Sequence, residues 1–185
     1  MKNVFFLAVC SFLCMVQVLA QNHFREPFVK IGNNVLISEK SKSFDRYLVR
    51  DASFDTTHYT IVESENVRIS NIKFKSQKII HQIFCEVFSS ERLIELSNSD
   101  KVFDMVYYVN NKGLVYQISY TIAFDSQLKP SELVKLDMLM KQNIQFTADE
   151  FEKTGNTKLH FSQLVSYEKI LNREKIRPFD EWEYQ

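Results

Sequence analysis

The stretch Val102-Phe103-Asp104-Met105-Val106-Tyr107-Tyr108-Val109-Asn110-Asn111-Lys112-Gly113-Leu114-Val115-Tyr116-Gln117-Ile118-Ser119-Tyr120-Thr121-Ile122 decides the fold. Apart from Asp104 its first arm is continuously apolar or aromatic. Asn110-Asn111-Lys112-Gly113 then supplies residues that tolerate positive φ in a tight turn. In the second arm Leu114, Tyr116, Ile118, Tyr120 and Ile122 alternate with Gln117, Ser119 and Thr121. Period-two alternation predicts one core-facing and one polar face, the pattern of an antiparallel pair covered on one side only.

Working outward, the flanking segments supply the cover. Upstream, Ile79, Ile80, Ile83, Phe84, Val87 and Phe88 recur at helical spacings, which predicts an amphipathic helix over about residues 76–88. A short helix Glu91–Leu96 follows, with the Ser89-Ser90 hydroxyls placed to cap its free N–H groups. Downstream, Pro130 suits the first turn of another helix, Glu132 lies near the positive end of its dipole, and Leu133, Leu136, Met140 and Ile144 line one side. A last strand, Lys158–Tyr167, alternates Leu159, Phe161, Val165 and Tyr167 with polar residues. The N-terminal third carries short β-branched and aromatic runs: Phe28–Ile31, Val35–Ile37, Arg46–Val49, His58–Val62 and Val67–Ile69. The resulting order is an α+β fold, with an antiparallel sheet and helices packed on one face. Strand order stays open: the last strand either forms a sheet edge or is covered by a strand from residues 28–62.

At 185 residues, 45% hydrophobic and 25% charged, the chain can bury a core of its own. Met1-Lys2-Asn3, the apolar run Val4–Leu13 and the small residue Ala20 read as an export signal, residues 1–20, cleaved before Gln21. The apolar stretch is shorter than the roughly 20 residues a spanning helix needs, so no transmembrane segment is expected after cleavage. A single domain is expected over 21–170, followed by a polar and aromatic tail, 171–185, that includes Trp182 and Tyr184. Basic and acidic residues balance at 23 each, which disfavours nucleic acid and anionic membranes as partners. Once Cys10 and Cys14 leave with the signal, Cys85 is the remaining cysteine and no internal disulfide can form.

Residues 102–122, the helix Pro130–Ile144, the Ile144-Gln145-Phe146 exit and the final strand resemble the C-terminal domain of TonB, the envelope energy transducer. The run Phe88-Ser89-Ser90-Glu91-Arg92-Leu93-Ile94-Glu95-Leu96-Ser97 resembles small exported proteins of unknown function from Bacteroides-type bacteria. These resemblances imply a TonB-like ββαβ unit and an envelope setting. Energy transduction is not implied, because the Pro-rich spacer and membrane anchor of a TonB are missing from the pattern.

The chemistry-bearing residues are sparse. Glycine occurs at 32, 113 and 155 only, so no phosphate-cradling loop can be assembled. His23, His58, His81 and His160 show no metal-ligand spacing, and neither a metal nor a cofactor is expected. The carboxylate pairs Asp149-Glu150 and Glu181/Glu183 lie in polar segments where solvated charge is the default. His81 and Cys85, four apart on the first helix with Lys78 nearby, are the candidate catalytic pair, since a neighbouring cation favours the reactive thiolate. Their bland alternative is a small apolar side chain at the margin of the stripe beside a solvated imidazole. The leading expectation is therefore a periplasmic or secreted, non-enzymatic module that binds a protein or peptide partner, or a second copy of itself, by strand addition. A hydrolase or thiol enzyme using Cys85 and His81 is the alternative.

Overall fold

The computed structural model describes residues 23–54, 73–74, 78–99, 103–110, 112–147 and 159–174. The expected strands His58–Val62 and Val67–Ile69, the signal segment, Asp149-Glu150, and Trp182 with Tyr184 lie outside them.

Both arms of the hairpin form where the alternation places them, as β5 (Phe103–Val109) and β6 (Val115–Ala123). Their register pairs Asp104 with Thr121 and Val106 with Ser119. The turn closes through Asn110: its backbone O accepts from the Gly113 N–H at 2.9 Å, and its side-chain Oδ1 accepts from the N–H groups of Lys112 and Leu114. Gly113 sits at φ 75°, a left-handed conformation that costs a glycine little. One expectation fails here. Tyr108 pairs with Gln117 but Val109 pairs with Val115, so β6 carries a bulge at Tyr116. The extra residue shifts the side-chain phase by one, so Val115 enters the core and Leu114, expected there, is 46% exposed.

Among the described residues, three strands before the hairpin join its sheet: β1 (Phe28–Ile31), β2 (Asn34–Lys40) and β3 (Arg46–Asp51). With the last strand, β8 (Leu159–Val165), they form a six-stranded antiparallel sheet in the order β1-β2-β3-β6-β5-β8. A second, two-stranded sheet joins β4 (Lys73–Phe74) to β7 (Phe146–Thr147). The helices are α1 (Lys78–Val87), α2 (Ser90–Ser99), α3 (Pro130–Asn143) and α4 (Tyr167–Leu171). Ser89 Oγ accepts from the Arg92 N–H at 3.2 Å at the start of α2, as the Ser-Ser pair predicted. The final strand is shorter than expected. Ser166 turns its hydroxyl to the Lys169 N–H and caps α4, so Tyr167 is a buried helical residue rather than the end of β8.

One face of the sheet carries Leu36, Val49, Met105, Tyr107, Val109, Ile118, Tyr120, Ile122 and Val165 into a single core. The helices meet them with Ile80, Ile83, Phe84, Leu93, Leu96, Leu133, Leu136, Met140 and Ile170. All four helices therefore bury their stripes against this face, which is the α+β arrangement expected. Two polar groups drawn into the core find partners there: the Tyr107 hydroxyl donates to Gln163 Oε1 at 2.9 Å, and the Ser38 hydroxyl donates to the Phe24 carbonyl at 2.6 Å. The tie between Tyr107 and Gln163 fastens β8 to β5 through side chains as well as backbone.

Candidate functional site

Sheet order answers the question left open by the alternation for β1, β2 and β3, while residues 55–62 lie outside the described ones. The N-terminal strands attach beside β6 through β3, so among the described residues β8 is the terminal strand on the other side. Which of its backbone groups face outward follows from the alternation of antiparallel ladders. The Asn110 N–H bonds Leu114 O and the Phe124 N–H bonds Asp45 O. From both anchors, residues 104 and 106 of β5 turn their backbone groups to β6, and residues 105 and 107 turn theirs to β8. Met105 pairs with Gln163 and Tyr107 with Phe161. Residues 161 and 163 thus bond inward, and the N–H and C=O groups of 160, 162 and 164 point away from the sheet.

Beside this edge, the face opposite the helices holds a groove of about 560 Å³. Its floor is one row of cross-strand neighbours: Leu164 opposes Asp104, Asp104 opposes Thr121, Thr121 opposes Leu48, and Leu48 opposes Glu39. The wall is the β2–β3 connection with Lys40, Ser41, Phe44 and Arg46. Ser41 Oγ accepts from the N–H groups of Ser43 and Phe44 and so shapes this connection. Lys40 is held over the Phe124 ring at 4.9 Å, and Glu39 pairs with Arg50. Phe44 is 71% and Leu164 51% exposed, which leaves apolar surface at both ends of the groove. Further along the same face the Phe54 and Tyr108 rings pack at a tilt, their centroids 4.7 Å apart.

The candidate catalytic pair lies elsewhere. His81 and Cys85 stand one turn apart on α1, on the helical side of the sheet, whereas the groove is on the other side. Cys85 is exposed rather than packed at the stripe margin. His81 is half-buried, and its Nδ1 has no hydrogen-bond partner among the described residues. Sequence adjacency is realised, but among the described residues no third His, Cys, Asp or Glu gathers with the pair. Among the described residues no three His, Cys, Asp or Glu side chains gather into a metal-binding group. No helix among them is long and apolar enough to cross a membrane.

Two polar nodes escaped the sequence reading. Arg92 on α2 is bidentate to Glu132 at the start of α3, at 2.8 and 2.9 Å, pairs with Glu95 at 2.6 Å and donates to the Gln127 carbonyl. Glu132 also accepts from the Lys129 N–H at 2.8 Å, so the same carboxylate caps α3. The second node runs from the Tyr120 hydroxyl to Asp137 at 2.8 Å, on to Lys141 at 2.7 Å, and from Lys141 to Gln117 at 3.0 Å. Burial holds the Asp137 carboxyl above its ordinary range, against the opposing pull of Lys141 and of the Tyr120 hydrogen bond. Glu132 three residues into a helix was a visible cue. A partner 40 residues away was not.

The fold and site thus define an α+β protein whose sheet is covered by helices on one face and, among the described residues, ends in β8 beside a groove on the other. It is similar to a crystal structure of a DUF5043 family protein from Bacteroides uniformis, with a TM-score of 0.62 and 9% identity, over 78% of this chain and 87% of that one. At that identity the likeness is one of fold. No family model matches the chain, and none of the curated proteins does.

Proposed function

We propose that this chain is an exported, non-enzymatic binding module of the cell envelope that takes an extended segment of a protein or peptide partner by strand addition at β8. The observation that carries the reading is the position of β8 at the end of the sheet among the described residues, with the backbone groups of 160, 162 and 164 facing outward. Such groups gain full hydrogen bonding when a strand is added. The groove offers alternate side chains of that strand an apolar floor at Leu164. The export reading of residues 1–20 and the TonB-like order of residues 102–167 supply the envelope setting. It follows that mature protein isolated from cells begins at Gln21, and N-terminal sequencing that returns Met1 would remove the export part of the reading.

The binding part has its own test. Proline at 162 deletes an outward N–H while sparing the inward bonds of 161 and 163, and proline is tolerated on an edge strand in that orientation. Alanine at 162 keeps the N–H. Peptides selected from a displayed library by the parent are expected to bind Ser162→Ala as they bind the parent and to lose several-fold in affinity for folded Ser162→Pro. Equal binding by both variants rejects strand addition.

A further inference from the structure

We propose that the strand added to β8 is β8 of a second copy of this chain, giving a two-fold symmetric dimer with one sheet running through both subunits. The inference rests on the strand-addition reading and names its partner.

Among the described residues β1 and β8 end the sheet, and the two differ in how they discourage pairing. The β1 end is four residues long, contains Lys30 and follows Glu26-Pro27. Short length, a lysine and a proline are the usual means of blunting an edge. The β8 end is seven residues, Leu-His-Phe-Ser-Gln-Leu-Val, with no Lys, Arg, Asp, Glu or Pro. An unblunted neutral strand of this length invites pairing, and two copies meet without like-charge repulsion. The chain as a whole is neutral as well, so no long-range repulsion opposes their approach.

The edge is also self-complementary. Its outward backbone groups, at 160, 162 and 164, are symmetric about 162. An antiparallel partner centred there sets 160 against 164 of the other copy, 162 against 162, and 164 against 160. Each opposed couple exchanges two hydrogen bonds, about six in total. This is an isologous contact, closed by a two-fold axis perpendicular to the sheet, and it cannot extend into a fibre. The same register covers Leu164, now half exposed at the rim. Strand pairing without a large apolar interface predicts a reversible dimer of micromolar strength.

Because position 162 meets only itself across the axis, charge there discriminates a self-partner from any other. Sedimentation velocity on the chain from Gln21 to Gln185, from about 1 to about 200 μM, is expected to show a concentration-dependent dimer for the parent. Ser162→Arg and Ser162→Glu should each dimerise several-fold more weakly, since like charges directly opposite in a sheet repel. An equimolar mixture of the two should recover dimers, because the pair is then of opposite sign. Circular dichroism confirms that each variant is folded. A parent that stays monomeric throughout overturns the second-copy proposal, and so does a dimer insensitive to both substitutions or two weakened variants whose mixture recovers no dimer. Library peptides that still discriminate Ser162→Ala from Ser162→Pro would then leave strand addition standing with a different partner. Loss of both results removes the two together.

Discussion

Replacing Ile83 with aspartate is expected to leave the protein unfolded at room temperature. Ile83 is 4% exposed and sits in the middle of α1 between Ile80 and Phe84, which are buried against the same core. A carboxylate there loses the transfer free energy of an isoleucine side chain and has no cation within the apolar cluster to meet it. Either the charge is buried unpaired or the carboxyl is forced to protonate far above its ordinary range, at a cost of about 4 kcal/mol or more. Typical domains have about 5–15 kcal/mol of stability in total, so a loss of this size or larger takes much or all of the margin. Ile83→Val provides the control: it keeps the apolar character, loses one methylene and costs about 1 kcal/mol. Thermal melts followed by circular dichroism decide the matter. An aspartate variant melting within a degree or two of the parent would show that α1 does not bury this face.

Arg92→Ala is expected to produce the second largest loss, about 2–4 kcal/mol in urea denaturation. The Arg92 guanidinium joins α2 to the first turn of α3 and to the loop before it. Its removal strands the Glu132 carboxylate, whose side chain is 17% exposed, and leaves the Gln127 carbonyl without that donor. The partial exposure of the pair keeps the figure below that of a fully buried ion pair. Arg92→Lys should recover only part of the loss, because an ammonium cannot serve both Glu132 oxygens and the carbonyl in one planar fork. In Arg92→Met combined with Glu132→Gln the stranded charge is gone, so the double variant should be more stable than Arg92→Ala alone. If Arg92→Ala shifts the midpoint no more than an exposed substitution does, the node is a surface ornament and the α2–α3 docking rests on apolar packing.

Most of the secondary structure was legible because it is written in local periods. The helical spacing of Ile79 to Phe88, the Pro130 start with Glu132 behind it, and the Asn110–Gly113 turn each depend on residues a few positions apart. Each formed where those residues placed it. The failures sit where a local period meets a non-local demand. Leu114 reads as part of the core stripe, but the bulge at Tyr116 is set by how β5 and β6 are held against each other and against α3, and it moved Leu114 to the surface. Tyr167 continues the alternation of β8, yet burial of the α4 stripe and the Ser166 cap made it helical.

By itself, the amino-acid sequence determined the class of this protein: an antiparallel sheet under helices. It also contained the neutrality of residues 159–165 and the charge and proline around β1. It could not say that those two strands are the ends of one sheet, because strand order arises from pairings between residues far apart in the chain, such as Arg46 with Ala123 and Phe103 with Val165. The tertiary structure alone decided that β8 ends the sheet among the described residues, that Leu164, Asp104, Thr121, Leu48 and Glu39 form one row beneath a groove, and that Arg92 finds Glu132. These are contacts between segments that local periodicity does not connect, and their geometry is chosen by the packing of the shared core.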